Sequence, residues 1–444
     1  MKRNRFFSYA VLSLVIGCIV LFSQACGIIE GIINDTTTPN SPNPTVAPAT
    51  LPPTPTPFPH KTTKLVDSKK LLELITDSQK ADFDFESVNQ EFCAYIINRP
   101  FLSQLNKEKP EYSVLAAGIY TAIIASQAEY TLPEAYSIEK EEILRLVFLL
   151  KNESPEFFHM DKSYSYMSDS NDIVKSLKFE YRMTPQEYYN ALKKTYDTIA
   201  FWSEDLETES EYEREFSLYN KIMVKCRYSL NADFRDSAYG AIVLGEALCE
   251  GYSHAFMLTM HYNGIKATQL TGMAFNSEDN KQEAHAWNIV FIDGEPYQVD
   301  ATWDDFDDSR TSRSRYTYFN ITDKEMMEQR TLDERFESVD VPKCTKTKHN
   351  YFRVNDLFVK EDTNLKELLF EKLSNLNVNE GEAGKTIQLK FETKSQYEKY
   401  LEKHADWVEE WNDEVAGVFG ITGFSYYTSD SIRVVSYIYK FGKN

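Results

Sequence analysis

The spacing of apolar positions divides the chain into a helical stretch, a mixed central stretch and a short, strand-rich end. Val114 to Gln127 and Glu139 to Lys151 carry apolar residues three and four apart, the spacing that lines one face of a helix. Thr184-Pro185-Gln186-Glu187 signals a further helix: the threonine can cap the first turn, proline suits the first helical position, and the glutamate can reach back to the cap. Residues 64–205 therefore read as a helical N-terminal region. A second capping box, Ser210-Glu211-Tyr212-Glu213, opens a helix along which Phe216, Tyr219, Met223 and Cys226 recur at helical spacing, and a central domain is placed over 206–325. From 350 to 444 two alternating runs, Ile387 to Phe391 and Ile432 to Tyr439, flank a helix from Thr393 to His404 capped by Thr393 and Gln396. That end reads as a small α+β domain, and the fold class expected for the whole is α+β.

The strongest local signal in the central stretch is a hairpin. His285 to Ile292 and Glu295 to Thr302 are strand-like runs on either side of Asp293-Gly294, a two-residue turn signal. If Ile292 faces Glu295, then His285 falls opposite Thr302 and Trp287 opposite Asp300. Opposed and alternate residues share a face, so His285 and Asp300 become diagonal neighbours about 7–8 Å apart, within hydrogen-bonding reach of their side chains. Upstream, Cys249 precedes an apolar-periodic run, Tyr252, Ala255, Phe256 and Thr259, that stops near Asn263-Gly264. Cys249 would then sit at or just before a helix N-terminus, where the macrodipole and unpaired N–H groups favour thiolate. An adjacent His285 would deprotonate it and Asp300 would fix the imidazole tautomer, the arrangement used for acyl transfer.

Taken singly, each residue has a plainer reading: Cys249 as core packing, His285 as a structural histidine, Asp300 as the partner of a neighbour. It is the joint order that points to chemistry. His254 and His261, on the same helix as Cys249, read as packing or surface residues; seven apart, they lack the spacing of a metal pair, and neither a metal site nor a cofactor is expected. Trp287 and Trp303 are expected to cover the His–Asp pair, with core packing an equal reading for Trp303.

Three segments carry a resemblance. Leu248-Cys249-Glu250-Gly251-Tyr252-Ser253-His254-Ala255-Phe256, His285-Ala286-Trp287-Asn288 and Tyr297-Gln298-Val299-Asp300-Ala301-Thr302-Trp303-Asp304-Asp305 resemble the core motifs of the bacterial transglutaminase-like superfamily. The resemblance covers residues 210–322 and implies a papain-like arrangement with Cys249 as nucleophile, His285 as base and Asp300 as acid. Tyr316 to Asn320 is similar to a segment that follows the core in bacterial members, and Ser154-Pro155-Glu156-Phe157-Phe158 to one that precedes it. Where many members have Ile-His-Asp, this chain has Leu218-Tyr219-Asn220, a departure expected to touch scaffold contacts rather than chemistry. The Cys249 N–H is a natural oxyanion donor; spacing does not single out a second, and Tyr228 is offered only as an upstream aromatic.

Composition then narrows location and partners. A formal charge of −20 with 42% hydrophobic residues describes a folded acidic protein and argues against nucleic acid as a partner. Lys2, Arg3 and Arg5 precede an apolar run from Phe6 to Phe22, and Ser23-Gln24-Ala25-Cys26 resembles the lipobox of bacterial lipoproteins. Residues 1–26 are thus expected to be a lipoprotein signal peptide with lipidation at Cys26; cleavage at Cys18 would leave Ile19 to Phe22 exposed, and an uncleaved signal anchor is the other reading. Residues 27–63, rich in Pro and Thr, read as an extended tether. Cys93, Cys226 and Cys344 are scattered without a CxxC pair, which suits neither a disulfide framework nor a zinc site, and pairing among them stays open. The function expected is extracytoplasmic, membrane-anchored, thiol-dependent acyl transfer on amide bonds, chiefly peptide or isopeptide hydrolysis. Its substrates would be peptides, proteins or cell-wall peptides. The alternatives are a protein cross-linking transglutaminase and a non-catalytic surface binding module on the same fold.

Overall fold

The computed structural model describes residues 65, 67–80, 92, 98–276, 281–305, 316–375 and 385–441. The expected signal peptide with Cys18 and Cys26, the tether and Cys93 lie outside them. The first region holds α1 (Ser68–Asp77), α2 (Pro100–Glu108), α3 (Glu111–Ile124), β1 (Glu129–Thr131), α4 (Lys140–Glu153), β2 (Met160–Ser168), β3 (Val174–Tyr181) and α5 (Pro185–Trp202). Thr184 caps α5 and Glu187 reaches back to it, as the spacing predicts. The centre is α3, which buries Leu115, Ala116, Ala117, Ile119, Tyr120, Thr121, Ala122, Ile123 and Ile124, residues spread around most of its circumference. The region is not wholly helical: β1, β3 and β2 form an antiparallel sheet in that order. Register shifts between β2 and β3 interrupt the two-residue period, which hid these strands from a periodicity reading. The Ser154–Phe158 segment leads into a buried 3-10 turn over Pro155–His159, and its Glu156 pairs with buried Arg99 at 2.8 Å. Glu153 accepts the Phe101 and Leu102 N–H groups at 2.9 Å each, capping α2 from the end of α4.

The central region comprises α6 (Glu211–Lys225), β4 (Arg227–Tyr228), β5 (Glu246–Ala247), α7 (Cys249–Tyr262), β6 (Ala267–Asn276), β7 (Lys281–Ile292), β8 (Glu295–Val299), α8 (Ala301–Asp304), α9 (Asp323–Met326) and β9 (Arg330–Leu332). Its antiparallel sheet has the order β8-β7-β6-β9, and the buried helix α7 lies against β6 and β7. Asp293 and Gly294 both adopt left-handed backbone, φ 52° and 80°, the geometry of a tight hairpin turn. The ladder runs from Ile292 opposite Glu295 to Asn288 opposite Val299 and there stops. The second strand is therefore shorter than the expected 295–302, and Asp300 is not a strand residue: it caps α8.

The last region carries α10 (Tyr351–Val354), β10 (Phe358–Val359), α11 (Leu365–Ser374), β11 (Lys385–Phe391), α12 (Lys394–Phe419), β12 (Ile421–Ser429) and β13 (Val434–Phe441). The sheet order is β10-β11-β13-β12. Thr393 and Gln396 cap α12 as expected, but the helix runs on past His404 to Phe419. Gln388 on β11 accepts the Tyr316 N–H at 2.7 Å and donates to Thr317 and Ser436 at 2.9 Å each, joining this sheet to the 316–320 segment. Among the described residues no helix is long and apolar enough to cross a membrane.

Candidate active site

Cys249 is the first residue of α7 and is buried, 5% exposed. The preceding Leu248 is extended, and no side chain caps the helix, so none competes with the sulfur for the first-turn N–H groups. The helix head is pressed onto the 235–237 segment: Leu248 N–H donates to Arg235 O at 2.7 Å, and a Cβ on Gly251 would lie 2.4 Å from that same oxygen. Glycine is what permits the approach. Glu250 pairs with Lys162 of β2 at 3.3 Å, and Lys162 also meets Asp236 at 3.3 Å, so the N-terminal sheet reaches the residue beside the sulfur.

The level of Cys249 along the sheet follows from how α7 crosses it. Ser253 Oγ donates to Trp287 O at 3.3 Å, and Asn288 Nδ2 donates to Ser253 O at 3.2 Å. Farther on, His261 Nε2 donates to Ala267 O at 2.8 Å, and Ala267 is paired with Val290. From Ser253 to His261 the helix therefore moves toward higher numbers on β7. One turn back from Ser253, about 6 Å at roughly 1.5 Å per residue, equals about two strand residues at roughly 3.4 Å each. That brings Cys249 to the level of His285.

His285 and Asp300 are brought together. His285 Nε2 donates to Asp300 Oδ2 at 2.7 Å, with both side chains buried. The strand register alone does not deliver this contact. Asp300 ends the ladder and turns its Oδ1 to the N–H groups of Thr302 and Trp303, at 3.0 and 3.1 Å, leaving Oδ2 for the imidazole. Arg330 of β9 forms an ion pair with the same Oδ2. Burial works against the Asp300 charge, but the His285 and Arg330 charges and the hydrogen bonds outweigh it and hold the carboxyl down at about 2. The Trp287 ring lies nearly parallel to the imidazole at 6.2 Å, and Trp303 sits 5.5 Å from it on a tilted plane.

Residues 201–307 match the family model of the transglutaminase-like superfamily. The chain carries a transglutaminase-like domain. Among solved structures, it is similar to a proposed cysteine protease from Cytophaga hutchinsonii, with 20% identity over 25% of this chain and 37% of that one, at a TM-score of 0.21. It is also similar to a TGase, with 14% identity over 40% of this chain and 51% of that one, at a TM-score of 0.24. The chain thus spans about a third to a half of those proteins. No curated protein matches it.

Elsewhere in the transglutaminase-like domain, Tyr219 of Leu218-Tyr219-Asn220 donates its hydroxyl to buried Asp304 at 2.7 Å, and Asn220 accepts from Tyr316 at 2.7 Å. Both are scaffold contacts, tying α6 to α8 and to the 316–320 segment. Tyr228 pairs across the β4–β5 ladder with Ala247, two residues before Cys249, and is 37% exposed. His254 bonds Asp236 O through Nδ1 at 3.2 Å, and burial keeps His261 neutral by lowering it to about 3. Cys226 and Cys344 are buried thiols outside any disulfide, and burial pushes Cys226 up to about 12 and raises Cys344 as well. Among the described residues no cluster of three His, Cys, Asp or Glu side chains is placed to hold a metal ion. Arg330 carries no signal in the sequence: nothing in Gln329-Arg330-Thr331 marks it until β9 returns to the edge of the sheet.

Proposed function

We propose that the chain is a thiol-dependent acyl transferase on amide bonds, chiefly a peptide or isopeptide hydrolase, with Cys249 as nucleophile. The observation that carries this reading is the 2.7 Å His285–Asp300 hydrogen bond on the sheet that α7 packs against. With Nε2 committed to Asp300, Nδ1 is the ring nitrogen that takes the thiol proton. The thiolate adds to the amide carbon, and the oxyanion is met by the Cys249 N–H, with the Tyr228 hydroxyl as the candidate second donor. The imidazolium protonates the leaving amine as the C–N bond breaks, leaving a thioester on Cys249. Water, deprotonated by His285, attacks the thioester, releases the carboxylic acid and restores the thiol. An amine in place of water gives transamidation.

The proposed setting is outside the cytoplasm, with the chain held to the membrane through a lipid on Cys26 and the 27–63 segment as tether. Its substrates are peptides, proteins or cell-wall peptides at that surface. Nucleic acid is disfavoured by the acidic charge. The test is mass spectrometry of peptide and isopeptide amides incubated with the protein, with and without a primary amine. Cleavage that falls at least about a thousandfold in Cys249→Ala and in His285→Ala is expected. Cleavage indifferent to Cys249→Ala overturns the reading; product that forms only with added amine identifies a cross-linker, and partner binding unchanged in a Cys249→Ala, His285→Ala variant without turnover identifies a binding module.

A further inference from the structure

The oxygen that holds His285 is shared. Arg330 is fully buried, 0% exposed in its side chain, and its Nη2 contacts Asp300 Oδ2, the atom that accepts from His285. The rest of the guanidinium is boxed by aromatic faces, 4.0 Å from the Trp303 ring centroid, 4.9 Å from Tyr318 and 5.8 Å from Trp287. Its Nε and Nη1 have no hydrogen-bond partner among the described residues. A buried cation is costly unless paired, and ring faces offset only part of that cost. The strand that brings it, β9, lies at the edge of the sheet opposite the hairpin, with Arg330 across from Ala274. Two of the rings around it, Trp287 and Trp303, are also the rings beside His285.

We propose that Arg330 is a positioning residue of this site: it fixes the Asp300 carboxylate between imidazole and guanidinium and shares its charge, so that His285 faces a partly neutralised acid. The inference rests on the proposed roles of His285 and Asp300. The shared carboxylate stays ionised, so it orients the ring and takes no proton itself. Held in this way, the ring keeps its Nε2–H on the carboxylate and leaves Nδ1 free for the proton that passes between thiol and leaving amine. Among the described residues, Tyr219 from α6 and Tyr318 from the segment before α9 also face Asp300, and Asp304 on α8 faces both tyrosines. Of these, Asp304 is held by the Tyr219 hydroxyl and the Tyr318 N–H, so Arg330 supplies the positive charge that balances Asp300.

The test is a titration of His285 by ring-nitrogen NMR in the full chain carrying Cys249→Ala, with the signal assigned among seven histidines through His285→Gln. Arg330→Gln is expected to raise the His285 titration by about one pH unit, a tenfold change in proton affinity. Arg330→Lys, which keeps the charge without the planar fork, should shift it less but speed exchange of the Nε2–H proton at least about tenfold. A folded Arg330→Gln that titrates as its parent overturns the proposal. If Arg330→Gln does not fold, an unchanged exchange rate in Arg330→Lys overturns it instead. Because the thiol is absent from this background, the result stands apart from whether Cys249 is a nucleophile, which the amide-cleavage assay decides.

Discussion

Replacing Asp300 by asparagine keeps the size of the side chain and an oxygen able to cap α8, but removes the charge facing Arg330. The guanidinium is then a buried cation whose surroundings are aromatic faces and a neutral amide. Breaking one half of a buried ion pair costs about 3–5 kcal/mol. The lowering of the carboxyl from 3.8 to about 2 points the same way and corresponds to roughly 2–3 kcal/mol of stability. Because the folded value lies below the unfolded one, that stability is present above about pH 4 and is lost as pH falls through about 2. Urea unfolding followed by circular dichroism and tryptophan fluorescence should therefore show Asp300→Asn less stable than the parent by about 3 kcal/mol at pH 7. The gap should close as the pH approaches 2. The double variant Asp300→Asn, Arg330→Met, which removes the stranded cation, should recover at least about 1 kcal/mol. A single-variant loss below about 1 kcal/mol at pH 7, with no coupling in the double variant, would show that the Arg330 charge does not depend on Asp300.

Other outcomes follow from the same packing. Gly251→Ala should cost about 1–3 kcal/mol, since its Cβ would meet Arg235 O at 2.4 Å and Ala247 Cβ at 2.8 Å, and it should slow modification of Cys249; an unchanged melting temperature counts against the close approach. Mass mapping after brief alkylation at pH 7 should find Cys249 labelled at least about a hundredfold faster than Cys226 or Cys344, whose thiols burial raises; comparable rates contradict this. Burial lifts Glu215 to about 8, with Asn320 Nδ2 at 2.8 Å as its hydrogen-bond donor. The folded value lies above the unfolded one, so the parent should lose stability as pH rises from about 5 to 8, and Glu215→Gln should flatten that slope in urea titrations. A variant with the parent's slope would show that Glu215 is ionised at no cost.

Local signals carried the parts of the site built from contiguous chain. The Asp293-Gly294 turn fixes the register from Ile292 to Asn288, and the apolar spacing after Cys249 places the thiol at a helix head. What was illegible is non-local or doubly encoded. Asp300 ends an alternating run and also opens a helical turn; the two roles look alike in sequence, and the pair of N–H groups offered by Thr302 and Trp303 decides for the cap. Arg330 reaches the acid only because β9 pairs with β6, a contact between distant segments with no local mark. The small N-terminal sheet is broken by register shifts, and β12, an edge strand of exposed Thr and Tyr residues and half-buried Ser, lacks the apolar face that reveals a strand.

Whether imidazole and sulfur act together is read from the second-order rate of Cys249 alkylation by iodoacetamide as a function of pH, in the parent and in His285→Ala. A thiolate formed with His285 and held at the head of α7 should keep reacting well below pH 7 in the parent and lose that plateau in the variant, where reaction should rise only toward pH 8–9 as for an ordinary thiol of about 8.5. Two superimposable profiles would mean that the imidazole does not act on the sulfur, and the account would fail.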